Sequence, residues 1–279
     1  MRHGLISTIV LALFSFVGRA ESQQIVPLVE EKSAVSFRED LVWNKWDTKN
    51  FIVLSLDKRQ GVVLKGVVEE VRLSFFDSWG LPVDDSLVPC KLVCVPDRQT
   101  LQNLFSVDSP RCEVRHAPDG KVSTCAIWVD YENIHMLPYL VASVSVSDSV
   151  CPFKLSPVFQ NGMVSLSGPV QSVRSLLGSR SSVDSRSLFS IKGEAWSSSK
   201  DKEGLNRKCA LFCLMIRKEL GSAAFSSFAM GDQSEDSVKK ALGFTGHDEL
   251  SKTLERYSEN LAGDISKERT PDEYLVIGN

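Results

Sequence analysis

The residues best suited to chemistry in this chain are its seven cysteines and four histidines. The cysteines are Cys90, Cys94, Cys112, Cys125, Cys151, Cys209 and Cys213. A thiolate is a nucleophile and a soft metal ligand, and an imidazole binds zinc. His116 and His135 approach each other if the segment around 112–129 packs on the element that follows it. A cysteine from 112, 125 or 151 would then complete a metal site, in a secreted hydrolase or metal-binding protein of non-standard design. No pair among these residues has the close spacing of a known zinc motif. Cys209 and Cys213 stand four apart on a predicted helix and so face the same way. They read as core, as a metal pair, or as one partner of a disulfide to another element. Ser143 lacks both a Gly-x-Ser-x-Gly setting and a nearby base. The acidic pair Asp84-Asp85 and the trio Asp232, Glu235 and Asp236 show no calcium loop and read as solvated surface.

The compartment decides what thiols do, and the first twenty residues speak to it. Arg2 and His3 make a basic start, residues 5–17 are apolar, and Gly18-Arg19-Ala20 offers small residues at a cleavage site. This is the pattern of a secretory signal peptide over 1–20, with a retained N-terminal anchor as the alternative. The expected localisation is secreted or periplasmic. Disulfides are permitted there. Five of the seven cysteines lie between 90 and 151, so bridges are expected to staple that segment, and the odd count leaves at least one thiol unpaired. Loss of Arg2 and Arg19 with the leader leaves 30 basic against 35 acidic side chains, a net charge of −5. That balance points away from nucleic acid and anionic membrane surfaces. No later segment is apolar and long enough to suggest stable membrane insertion after cleavage.

The elements that must position these residues follow from periodicity and turn chemistry. Residues 21–47 read as an extended arm. Residues 50–55 form a short β-branched strand. Residues 60–79 form an amphipathic helix with Val63, Val67, Val71 and Phe75 on one stripe, closed by Gly80. Residues 90–95 alternate Cys90, Leu92, Cys94 against Lys91, Val93, Val95, a second strand. A short helix follows over 99–105. Pro118-Asp119-Gly120 divides 112–116 from 122–129 as a β-hairpin. Residues 136–147 fit strand and helix equally: Val144 and Val146 favour a strand, while Leu137, Leu140, Val141 and Val144 share a helical face. A loop and helix are expected over 156–177, and a Ser-rich loop over 179–203. Helices follow over 206–220, 237–242 and 248–260, the last capped by Asp248 and burying Leu250 and Leu254. Residues 263–279 read as a tail.

Several phrases, in this order, resemble the gluzincin zinc metallopeptidases in their peptidase-MA-like branch. Asn50-Phe51-Ile52-Val53, with the helix ending Asp77-Ser78-Trp79-Gly80-Leu81-Pro82, is similar to that family's opening unit. Pro89-Cys90-Lys91-Leu92-Val93-Cys94-Val95 is similar to its second strand. The helix over 208–220 resembles the one that packs behind that family's active site, and Lys240-Ala241-Leu242-Gly243-Phe244 with Glu249-Leu250 and Leu254-Glu255 resemble its closing helices. The resemblance covers roughly residues 48–260. It implies an α+β fold: a small mixed sheet with helices in an N-terminal lobe (48–178), then a helical C-terminal lobe (204–262).

The family's active-site helix carries His-Glu-x-x-His, two zinc ligands and a general base. The corresponding phrase here is Leu137-Pro138-Tyr139-Leu140-Val141-Ala142-Ser143. Tyr139 and Ser143 occupy the ligand positions and Leu140 the base position. In Phe159-Gln160-Asn161-Gly162-Met163, Asn161 stands where the third ligand, a Glu, would be. Neutral Tyr, Ser and Asn bind zinc poorly, and Leu140 takes no proton. The resemblance therefore implies a pseudoenzyme with no cofactor. Such a protein would work outside the cytoplasm by binding a peptide or protein, by edge-strand addition for example, or in envelope architecture. A cleft that has filled with side chains would instead mark a purely structural domain.

Overall fold

The computed structural model describes residues 42–83, 89–116, 122–147, 154–178, 188–189 and 202–266. The expected signal peptide, most of the arm and of the Ser-rich loop, residues 267–279, Cys151, Asp84-Asp85 and the turn at 118–120 lie outside them. So do the side chains of His116 and His247.

The architecture is α+β, with a five-stranded mixed sheet and a largely helical second half. The strands are β1 (Asn44–Asp47), β2 (Phe51–Ser55), β3 (Cys90–Val95), β4 (Arg111–His116) and β5 (Val122–Asp130). Their order across the sheet is β1-β2-β3-β5-β4. The centre, β2-β3-β5, is parallel, and β1 and β4 add antiparallel at the two edges. Parallel strands are buried on both faces, which is why 90–95 is apolar on both alternations. Cys90, Leu92 and Cys94 enter the main core, while Val93 and Val95 face a second, smaller cluster with Leu101, Ala126 and Trp128.

Helix α1 (Lys58–Trp79) links β2 to β3. The Asp57 carboxylate caps its start, accepting from Arg59 N at 2.7 Å and Gln60 N at 3.0 Å. Gly80 ends it at φ 64°, a left-handed conformation that glycine adopts without a steric penalty. The buried face is turned by one residue from the expected stripe: Leu64, Val68, Arg72, Phe75, Phe76 and Trp79 go in, and Val63 stays exposed. Trp79 and the two phenylalanines carry the largest apolar area and set the rotation. Arg72 is carried inward with them, its guanidinium over the Phe76 ring. The Glu69 carboxylate fastens the β1–β2 turn to this helix. It accepts from Thr48 Oγ1 at 2.7 Å, Asn50 N at 2.5 Å and Asn50 Nδ2 at 2.8 Å.

Helix α2 (Arg98–Phe105) covers the second face of the sheet, and a 3₁₀ turn (Tyr131–Met136) leads from β5 into α3 (Leu137–Ser145). The ambiguous segment 136–147 is thus helical. It packs against α1, β4 and β5. Two helices, α4 (Pro157–Ser165) and α5 (Val170–Gly178), occupy the span where one was expected. The second half is α6 (Lys202–Leu220), α7 (Ser222–Met230), α8 (Glu235–Leu242) and α9 (His247–Ser266). α6 touches α4, α5, α7, α8 and α9 and is buried almost all round from Leu205 to Ile216. Leu250 and Leu254 are buried as expected. Asp248, however, lies inside the first turn of α9; Glu249 folds back onto the N–H and hydroxyl of Thr245 instead.

The last residues of the expected arm are strand β1. Their alternation is polar because an edge strand keeps one side in water. The two expected lobes share one apolar cluster, running from Phe51 through Leu137 and Phe212 to Leu261. Among the described residues no helix is long and apolar enough to cross a membrane.

Candidate functional site

Helix α3 starts with Pro138 at its first turn, where a missing N–H costs nothing. Its i, i+4 spacing brings Tyr139 and Ser143 to one face, and that face meets Cys112 on β4. The Ser143 hydroxyl donates to the Tyr139 carbonyl at 2.8 Å. The same hydroxyl favours the ionised forms of the Tyr139 phenol and the Cys112 thiol, against the effect of burial. All are buried: Tyr139 is 6%, Leu140 1%, Ser143 2% and Cys112 9% exposed.

Burial sets the acidities here. It pushes the Cys112 thiol up to about 12, with Cys125 adding to the rise and the Ser143 contact opposing it. Burial also raises the Tyr139 phenol, with Cys112 adding and Ser143 opposing. Near neutral pH the cluster therefore consists of protonated thiol, phenol and hydroxyl. Leu140 is packed in the core and offers no base.

Helix α4 packs beside α3. Its Asn161 is half-buried and turns back on its own helix, donating through Nδ2 to the Pro157 carbonyl at 2.7 Å. The next residue, Gly162, is where α4 meets α6. A Cβ there would lie 2.4 Å from Cys213 Sγ and 2.5 Å from the Cys209 carbonyl oxygen. Cys209 and Cys213 are fully buried, and both are core residues.

No protein-family model, curated protein or solved structure matches the chain. The chemistry of the cluster is therefore read from its side chains.

The structure brings together two of the four positions singled out, Tyr139 and Ser143, and adds Cys112, which sequence reasoning did not join to them. Leu140 faces the apolar interior of the same helix. Asn161 stands on the neighbouring helix with its amide spent locally. The crowding of cysteines between 90 and 151 was the available signal for Cys112. Which thiol lies under the helix depends on strand register.

The alternative metal site gains less. His135 lies on the 3₁₀ turn, half-buried. Burial pushes its imidazole below the ordinary value, while Asp130 draws it upward. The Asp130 carboxylate is occupied locally, accepting from Asn133 N at 3.0 Å and Asn133 Nδ2 at 2.8 Å. Among the described residues no group of three or more His, Cys, Asp and Glu side chains is placed to hold a metal ion. The six described cysteines are free thiols, so the bridges expected within 90–151 are not formed among them.

Proposed function

We propose that this chain is an exported, non-catalytic relative of the gluzincin metallopeptidases that works by holding a peptide or protein partner. The observation that carries this reading is the pairing of Tyr139 and Ser143 on one helix face, against an edge-side strand, with neutral donors where the family has ligands. The element order supports it too: a strand–helix–strand unit, an edge strand beneath the α3 position, then α4 beside α3. A site built of an un-ionised phenol, hydroxyl and thiol supplies neither a metal cage nor a general base.

The burial of Tyr139, Leu140 and Ser143 moves the binding role away from the floor of the site. It falls to β4, which ends the described sheet. An edge strand offers backbone N–H and C=O groups to an extended segment, and that mode requires no catalysis. The test is peptide selection on the chain lacking residues 1–20, followed by hydrogen exchange with the selected peptide. New protection at Arg111–Val114 is expected. Protection confined to another element, or peptide hydrolysis abolished by a chelator, overturns the proposal.

The same burial favours a second reading, a purely structural domain whose former cleft is filled. On that reading peptide selection returns nothing above an unrelated control.

A further inference from the structure

We propose that Cys90 and Cys125 are a disulfide pair held ready across the centre of the sheet, with Cys112 as an unpaired neighbour. The inference rests on strand register and not on the metallopeptidase likeness.

Strands β3 and β5 are parallel, with Lys91 opposite Ala126 and Leu92 opposite Ile127. One residue back, the same register sets Cys90 opposite Cys125. Neighbouring strands lie about 4.7–4.9 Å apart. That falls inside the roughly 4.4–6.8 Å Cα separation of ordinary disulfides. Both side chains point into the main core, on the face that α1 and α3 cover. Burial raises the Cys90 thiol, and the neighbouring Cys125 adds to the rise.

The other pairings in this cluster fail on distance. Cys112 is opposite Ile127, and Cys125 is opposite Val114. Cys112 and Cys125 are therefore diagonal neighbours, at about 7–8 Å between Cα atoms. That is beyond the reach of a bridge without backbone movement. Cys90 and Cys112 are separated by all of β5, about 9–10 Å by the spacing of two strands. Cys94 is opposite Val129, and Cys209 and Cys213 sit on α6. Among the described cysteines of the sheet, Cys90 and Cys125 are thus the one pair set directly opposite each other.

All six described thiols are buried, so the bond must form before α3 closes over the sheet. The oxidant is a disulfide, small-molecule or protein-borne. The Cys90 thiolate attacks one of its sulfurs, forming a mixed disulfide and releasing one thiolate. The Cys125 thiolate then attacks the Cys90 sulfur and releases the second. Two protein thiols are oxidised and one disulfide is reduced to two thiols, which take up the two protons lost.

The experiment refolds the denatured, reduced full chain in a buffer of oxidised and reduced glutathione. Free thiols are then alkylated in denaturant, and the digest is mapped without reduction. The expected result is five alkylated cysteines of the seven and one cross-linked peptide joining Cys90 to Cys125. Cys112→Ser should keep that cross-link, and Cys125→Ser should lose it. Seven free thiols in soluble refolded chain, or a bridge that joins Cys112 or Cys151 to either partner, overturns the proposal. If Cys125→Ser fails to fold, the peptide map of the unaltered chain and of Cys112→Ser still decides.

Discussion

At the scale of single residues, the buried cluster under α3 makes a pH-dependent contribution that can be read with its sign. Cys112 is pushed up to about 12 in the folded chain, whereas an unfolded thiol titrates at about 8.5. The folded state therefore holds its proton more tightly. Its contribution is whole below the unfolded value and is lost as pH rises through the folded one. Thermal unfolding is expected to move to lower temperature between about pH 9 and pH 12, and less steeply in Cys112→Ser. An unchanged slope in that variant would locate the alkaline loss elsewhere. The same burial predicts that Cys112 resists alkylation in the native chain and reacts once denaturant is present. Gly162 supplies a second residue-scale test. A methyl group there collides with Cys213 Sγ and with the backbone of α6, which cannot step aside as a side chain can. Gly162→Ala is expected to cost about 1–3 kcal/mol in denaturant unfolding, as overpacking does.

At the scale of elements, Glu69 is the joint between α1 and the β1–β2 turn. Removing its carboxylate leaves the Asn50 amide and N–H without their acceptor, while the Thr48 hydroxyl keeps the Phe51 carbonyl. Glu69→Ala is expected to cost about 1–3 kcal/mol, and hydrogen exchange should rise first in β1 and the turn. Glu69→Gln should keep part of that stability, since one acceptor oxygen remains. These elements differ in how plainly the sequence announces them. The alternation across Cys90 to Val95 announced a strand, and its two sets of apolar side chains do face opposite sides of the sheet. Gly80 announced the end of α1, and it adopts a positive φ. β1 was hidden, because an edge strand of Asn, Lys, Trp and Asp carries little apolar signal. α7 was hidden as well: its serines and alanines show no stripe, and its place is set by Phe225 stacking on Trp79 and Phe159. For α3, apolar residues on every side erased the period that separates helix from strand. Of the candidate site, the spacing of Tyr139 and Ser143 was legible once a helix was assumed. Their partner Cys112 was not, because it comes from a strand whose register no local pattern fixes.

At the scale of the whole molecule, the sheet and the helical half are sewn into one interior. Phe159 touches the rings of Phe212, Phe225 and Phe228, and Phe225 in turn meets Trp79 at the end of α1. Arg207, buried on α6, donates to Ser258 Oγ on α9 at 2.7 Å. Because the halves complete each other's core, unfolding is expected to be a single transition, coincident by tryptophan fluorescence and by far-ultraviolet circular dichroism. Two separated transitions would show that the lobes are independent. A fragment ending at residue 178 is expected to be unfolded, since it exposes the apolar surface that α6 covers.

The alternating charges of β4 bear on how copies of this chain meet. Arg111, Glu113 and Arg115 fall on one side of the strand, and the Glu113 carboxylate pairs with Arg115. Suppose two molecules lay their β4 strands head to tail in the alignment of fullest overlap, centred on Glu113. Each Glu113 would then confront its twin, and each Arg111 would confront an Arg115. Like charges set directly opposite one another repel. The irregular register at Arg115/His116 further shortens the straight run that a twin must match. Growth of fibrils by homotypic stacking is thus discouraged, while a foreign strand with acids facing the arginines and a base facing the glutamate meets no such barrier.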